Sequence, residues 1–428
     1  MQKSDNPNTF SSPLPQLSHL IPAGSRLQQY ISHEVGSKIY PLHSDEELFK
    51  DFISRVFGVD ATTETYEQIR PFFAFARRNI TDLFDQIDGG DLMKGPYYNR
   101  FFSPDQQSTL FQLLDIYKEC LSEYRRLRKD TENKKEGLYA TLRSMNELHL
   151  LFFIAMKYRD YLNTTQAKLM RSGQSRQFLL DGLRKIAVEK QGFDNVDIRK
   201  DNPLFDVTKS KKRYYQWDKK SKQYLIQDSP EEGFSEYRVD SMSLNIGDEI
   251  IEVAHIAMRD KDPWSLIQKG VRKGAAEGHH TDYTGMKIVL QEGLPEKEQE
   301  KIVNKIFNCL LDTLGDGITW IEPPALEPIK HSNFNNKKGM VRVWKCVMQV
   351  QINKTPYPIE IQIAGNEVSH IFRDEDPRSR LYHGHYKAAQ LETLLPHFFP
   401  KHIYGNIKLK PPPEQNDTTG RTSSSSNL

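Results

Sequence analysis

Cysteine is scarce in this chain. Cys120, Cys309 and Cys346 stand far apart and are odd in number. That excludes a disulfide framework or a zinc-type spacing and suits a reducing compartment. An excess of one charge sign is also lacking: 59 Lys and Arg face 57 Asp and Glu, for a formal net charge of +2. Bulk electrostatics therefore give no argument for nucleic acid. Long apolar runs are missing too. The most apolar, Leu148 to Met156, is interrupted by His149 and falls well short of the ~20 residues a bilayer requires. Met1 to Asn8 has no apolar signal core. The expectation is a soluble, cytoplasmic protein without membrane contact.

A chain of 428 residues has room for two or three domains. Residues 1–18, rich in Ser, Pro, Asn and Gln, predict a disordered tail. Residues 40–190 predict a helical domain with apolar faces adequate for a bundle. Its first element opens on the capping box Ser44-Asp-Glu-Glu47, carries a stripe of Leu48, Phe52, Ile53, Val56 and Phe57, and closes at Gly58. A second helix opens at Ser103-Pro104 and runs through Tyr124, and a third covers about 137–162. A fourth, from about Thr165 to Glu189, is weakened by Gly173 and Gly182.

From about 192 the character changes. Residues 192–240 read as a linker with a basic aromatic hairpin, in which Lys209 to Trp217 and Lys219 to Tyr224 flank Asp218. A solvated lysine face is the plainer reading. Cations interleaved with aromatics also suit base stacking and phosphate contacts, which makes RNA a candidate partner through 209–224. Residues 241–405 mix strands and helices without strict βαβ alternation, predicting an α+β fold class for this part. Its expected elements are strands at 250–258, 284–290, 341–352 and 358–363, and helices at about 263–269, 296–314 and 381–395. Residues 318–340 read as a Pro-rich loop followed by an exposed segment. Residues 406–428 predict a second disordered tail.

Chemistry concentrates first at 257–290. Arg259 and Lys261 sit two apart, so an extended backbone points both to one side. Asp262 suits an N-cap and Pro263 a first helical position. Ser265 follows in the first turn, where free N–H groups and the helix dipole favour an anion. Lys269 lies four residues on, along the same helical face. Cations, a hydroxyl and a helix N-terminus converging on one point predict a polyphosphate site.

A second concentration lies at Pro358 to Ile363. Ile359, Ile361 and Ile363 alternate with Glu360 and Gln362, placing an acid on the polar face of a strand. Asp282 starts a strand that could neighbour this one. Two carboxylates at adjacent strand ends beside a phosphate cradle are what Mg²⁺ requires, because it takes one or two protein carboxylates and fills its shell with phosphate oxygens and water.

The series R-x-K-x-x-x-S-x-x-x-K at 259–269, D-x-x-G at 282–285, Glu-Ile-Gln-Ile at 360–363, then His370 and His383-x-x-Tyr386-Lys387 resembles the synthetase domain of the RelA/SpoT family, the pyrophosphokinases that make (p)ppGpp. The resemblance covers roughly 245–395. It implies a nucleotidyltransferase-like mixed-sheet domain that is Mg²⁺-dependent, uses ATP as donor and takes GDP or GTP as acceptor. On it, Arg259, Lys261, Ser265, Lys269, His383 and Lys387 bind ATP, while Asp282 and Glu360 are catalytic and hold the metal. The acceptor motif N-G-Y-x-S-x-H is missing. Counting back from Glu360 puts Trp344 where a base-stacking aromatic belongs, with Gln362 nearby as an acceptor contact. An adenine nucleotide or a tRNA 3′ end remains open as acceptor, and so does a degenerate synthetase fold that binds nucleotide or RNA without chemistry. The His-Asp motif of the family's hydrolase domain does not occur, so 40–190 reads as a regulatory, interaction or stabilising module. Homo-oligomerisation is left open.

Overall fold

The structure is a computed structural model that describes residues 53–54, 56–59, 66–102, 110–129, 135–186, 209–218, 223–227, 229–233, 235–246, 248–273, 283–290, 296–314, 318–328, 342–364 and 383–410. The two predicted tails, the capping box at Ser44, the helix start at Ser103, Asp282 and His370 lie outside the described residues.

Helices dominate the first part: α1 (Tyr66–Gln86), α2 (Gly90–Met93), α3 (Tyr98–Phe102), α4 (Leu110–Lys129), α5 (Lys135–Asn163), α6 (Thr165–Arg171) and α7 (Gln174–Ile186). A helical turn at 53–57 precedes them and ends at Gly58 with φ 70°, a left-handed position that glycine takes without a Cβ penalty. Sequence reading missed α1 because Pro71 lies inside it. Ile69, Phe73, Ala76, Ile80 and Leu83 are all buried on one stripe, and that burial outweighs the hydrogen bond Pro71 forfeits. The expected fourth helix is two. Thr164 caps α6 by accepting from the Ala167 N–H at 3.1 Å, and Gly173 at φ 74° breaks the chain before α7. Gly182 breaks nothing.

The remaining elements are β1 (Lys209–Asp218), β2 (Gln223–Gln227), β3 (Ser235–Ile246), β4 (Glu249–Asp260), α8 (Pro263–Lys273), β5 (Thr284–Leu290), α9 (Glu296–Leu314), β6 (Thr319–Pro328), β7 (Arg342–Ile352), β8 (Thr355–Ala364), α10 (His383–Phe398) and α11 (Lys401–Tyr404). One eight-stranded sheet has the order β2-β1-β3-β4-β5-β8-β7-β6. Its β5–β8 pair is parallel and the other pairs are antiparallel. The fold is α+β, with a mixed sheet. Strands β1 and β2 pair antiparallel, and β1 joins the rest of the sheet through β3, so the line drawn at 240/241 falls inside a strand.

β6 corrects the expected Pro-rich loop over 319–328, and the expected exposed segment at 331–339 lies outside the described residues. Pro323 and Pro324 cannot donate to a ladder, but β6 is an outer strand whose register slips between Trp320 and Glu322 and again between Glu322 and Ala325. Prolines belong at such irregular edges. The β7–β8 turn is tighter than expected: Asn353 and Lys354 adopt φ 52° and 63°, the two-residue hairpin geometry that matches strand twist.

Packing divides into two hydrophobic clusters. One is built by the turn at 53–57, α1, α3, α4, most of α5, α10 and α11, with Ile267 and Val271 of α8. The other covers one sheet face and takes in α6, α7, α9, Tyr161 of α5 and Leu266 of α8. α8 therefore wedges between the clusters. Among the described residues no helix is long and apolar enough to cross a membrane.

Candidate functional site

The corner between β4 and α8 forms as its residues dictate. In the β4–β5 ladder Arg259 pairs with Gly285 and Asp260 with Thr284. Alternation puts Arg259 and Lys261 on one sheet face, and Met258 and Asp260 on the other with Met286. The Lys261 N–H donates to the Tyr283 carbonyl at 2.9 Å, extending the pairing to the helix start. Asp262 is the N-cap: its Oδ2 accepts the Ser265 N–H at 3.0 Å, and the Ser265 hydroxyl lies 3.4 Å from the same atom. This is the N-cap expected of Asp262, and it occupies one of the N–H groups expected to be open to an anion. An anion arriving there competes with a carboxylate that already satisfies one of the free N–H groups.

Glu360 is the centre of the site. Ile359, Ile361 and Ile363 are fully buried in the sheet's core, so Glu360 and Gln362 take the opposite face. Glu360 is only 7% exposed. Gln362 Nε2 donates to its Oε1 at 2.7 Å, and Lys345 Nζ lies 3.3 Å from its Oε2. Burial alone would raise its pKa. Lys261, Lys345 and Lys269 outweigh that and hold it below the ordinary glutamate value. Lys345 makes the direct ion pair, while Lys261 at the end of β4 and Lys269 on α8 add charge that favours the ionised form.

The structure thus brings Lys261, Lys269, Glu360 and Gln362 together. Arg259 shares their face, exposed, opposite Gly285. The expected neighbouring strands are also there: β5 and β8 run parallel with Gly285 opposite Glu360. Asp282, three residues before Gly285, lies outside the described residues, as do the side chains of His383 and Lys387 in the first turns of α10.

Trp344 is not brought to the site. It pairs with Ile363 and is 5% exposed within the core cluster. Cross-strand partners share a face, so its ring is on the side of the sheet away from Glu360. The residue on the site face is Lys345, opposite Gln362. Sequence reading missed it by taking Asn353 to Tyr357 as the connection. A two-residue turn at Asn353-Lys354 fixes a register that puts Lys345 beside the Glu360 strand.

Among the described residues no group of three or more His, Cys, Asp or Glu converges to hold a metal. A magnesium ion shared with phosphates requires less, since one or two carboxylates are enough. Glu360, held ionised, could supply one.

No family model matches this chain, and no curated protein matches it. Among solved structures it is similar to the small alarmone synthetase 1 from Bacillus subtilis, at 15% identity over 33% of this chain and 77% of that one, with a TM-score of 0.21. It is also similar to the same protein bound to its product pppGpp, at 16% identity over 32% and 74%, with a TM-score of 0.21. A likeness of that score carries no argument about chemistry.

Proposed function

We propose that this chain is a pyrophosphokinase of the RelA/SpoT kind, transferring the β,γ-pyrophosphate of ATP to the ribose 3′-hydroxyl of a nucleotide and releasing AMP. The observation that carries this reading is the buried carboxylate of Glu360, paired with Lys345 and kept ionised with the help of the charges of Lys261 and Lys269. Cations set around an ionised acid suit a polyphosphate and its metal together.

Lys261 and Lys269 draw the β- and γ-phosphates onto the β4–α8 corner, and Arg259 lies along the α-phosphate or adenine. Ser265 turns from Asp262 to a phosphate oxygen. Glu360, with Asp282, would hold Mg²⁺, and that ion would polarise the phosphoryl oxygens. The acceptor's 3′-oxygen attacks the β-phosphorus, the bond to the α–β bridging oxygen breaks, and AMP leaves with that oxygen. Glu360 takes the hydroxyl's proton as the new P–O bond forms and acidifies it, since a carboxylate of depressed pKa is too weak a base to remove the proton beforehand. Gln362 fixes the carboxylate's orientation, and His383 and Lys387 offset the charge that builds up. The acceptor is GDP or GTP on the family resemblance. Lys345 in place of a stacking aromatic implies that its charge is read more than its base.

The test mixes purified protein and Mg²⁺ with ATP labelled on its terminal phosphate and with GDP, GTP, adenine nucleotides or tRNA. Label moving to a guanine nucleotide is expected. Label remaining in ATP with every acceptor, or transfer indifferent to Glu360→Gln, would sink the reading.

A second reading, nucleotide or RNA binding without transfer, is favoured by one observation: both Glu360 oxygens already have protein partners. RNA affinity that falls steeply with salt, and falls again when Lys211, Lys212 and Arg213 are neutralised, would favour it.

A further inference from the structure

Behind the sheet, on the face away from Glu360, a buried polar cluster ties the site ends of β4, β5 and β8 to helix α7. Ser175, Thr284 and Tyr357 are fully buried, and Arg176 is 6% exposed. Thr284 Oγ1 is the hub. It lies 2.8 Å from Asp260 Oδ1, 2.8 Å from the Tyr357 hydroxyl and 3.3 Å from the Ser175 hydroxyl. A hydroxyl has one proton and two lone pairs. With Asp260 a carboxylate, Thr284 donates to it and accepts from Tyr357 and Ser175, which uses its full capacity. Arg176 Nη1 then lies 3.8 Å from the other oxygen of Asp260.

Other links fasten the same end of the sheet. Tyr283 hydrogen-bonds the side chain of Thr164. Gln166 Nε2 donates to the Pro356 carbonyl at 3.3 Å, and Asn353 Nδ2 donates to Gln174 Oε1 at 2.7 Å. All these helical residues come from 164–176, in the stretch the sequence assigns to a separate helical module.

Strand alternation converts this rear anchor into geometry at the front. Asp260 lies between Arg259 and Lys261, and Thr284 precedes Gly285, the partner of Glu360. Fixing Asp260 and Thr284 from behind fixes how Arg259, Lys261 and the Gly285–Glu360 pair present on the other face. We propose that Arg176 and Ser175 are positioning residues for the candidate site, acting through Asp260 and Thr284, so that the helical segment 164–186 is part of the phosphate-binding unit. The catalytic consequence rests on the pyrophosphokinase reading; the mechanical one does not.

The test uses the full chain with Arg176→Met, Arg176→Lys and Ser175→Ala. Amide hydrogen exchange is followed at 257–261 and 283–287, with 346–350 as an internal control. Arg176→Met should speed exchange at the first two segments by about tenfold or more and leave the control unchanged. Arg176→Lys, which restores a cation to Asp260, should recover most of the protection. Transfer by Arg176→Met should fall by about 10²-fold, the scale of a small misplacement remote from the chemistry. If Arg176→Met does not fold, Ser175→Ala carries the same local exchange test. A folded variant with unchanged exchange at 257–261 and 283–287 overturns the proposal. If the wild-type chain transfers no pyrophosphate, the function falls and the exchange result still decides this inference.

Discussion

Lys345 Nζ lies 3.3 Å from Glu360 Oε2, on the strand beside it. This contact makes the buried acid an ion-pair member before any substrate arrives. Its folded pKa is depressed, so its contribution to stability is present above the unfolded value and lost as pH falls through the folded one. Lys345→Met leaves burial opposed by Lys261 and Lys269 alone. The loss expected at neutral pH is on the order of 1–3 kcal/mol, shrinking as the solution is acidified. Denaturant melts of wild type and variant at pH 7 and pH 4 check this; a gap that does not narrow would contradict it.

Lys261 and Lys269 reach Glu360 from β4 and α8, so replacing either with Met should weaken Mg-ATP binding. An exposed pair contributes little, but these two are half-buried beside a desolvated carboxylate. A rise of roughly tenfold in Kd for a non-hydrolysable ATP analogue is expected for each, about 1.4 kcal/mol. The double variant should show less than the product of the two, because both act on one bound polyphosphate. Calorimetric titration reads both quantities.

Two glycines give opposite outcomes for the same substitution. A Cβ on Gly95 would sit 2.2 Å from Ser144 Oγ and 2.6 Å from the Ser144 backbone nitrogen. Backbone in α5 cannot yield, so Gly95→Ala should cost about 1–3 kcal/mol. A Cβ on Gly182 meets the tip of Leu314 at 2.5 Å, the far end of a flexible side chain. Gly182→Ala gains roughly 1 kcal/mol of helix propensity, so its melting temperature should hold or rise.

Helix α5 carries two titratable groups two residues apart, Glu147 fully buried and His149 half-buried. Burial pushes Glu147 up to about 8, against the Gly95 N–H that it accepts at 2.7 Å. Burial pushes His149 down to about 4. For Glu147, stability is complete below the unfolded pKa of about 4.3 and is lost as pH rises through the folded value. For His149 it is complete above about 6.5 and lost as pH falls. The two trends cancel across most of the acidic range, and Glu147 alone operates above it. Glu147→Gln should therefore leave a protein whose stability rises from pH 4 to 6.5 and then levels, whereas wild type declines toward pH 8. A pH series of denaturant melts distinguishes the two profiles.

Much of the fold was legible. β5 and α9 lie where periodicity puts them, because each has an uninterrupted apolar pattern on one face. Proline hid two elements, α1 and β6, where burial or an edge position overrode the local signal. At the site, Arg259, Lys261, Asp262 and Glu360 could be read because strand alternation and capping are local rules. Lys345 and the Arg176 cluster could not. The first depends on turn geometry, and the second on a helix that meets the sheet only in three dimensions. Trp344 shows the converse error, since counting residues cannot settle which face a strand presents when the turn is two residues long and not five.

The parallel contact of Gly285 with Glu360 has a consequence for how the chain acquires its site. α9, β6 and β7 all lie between these two residues in sequence. During synthesis the β4–α8 corner leaves the ribosome complete, while the acid it faces is several elements away. A nascent chain stopped before β8 therefore has its cations without their carboxylate. Pairing so distant in sequence is slow to close, and the site is among the last parts of the molecule to come into being.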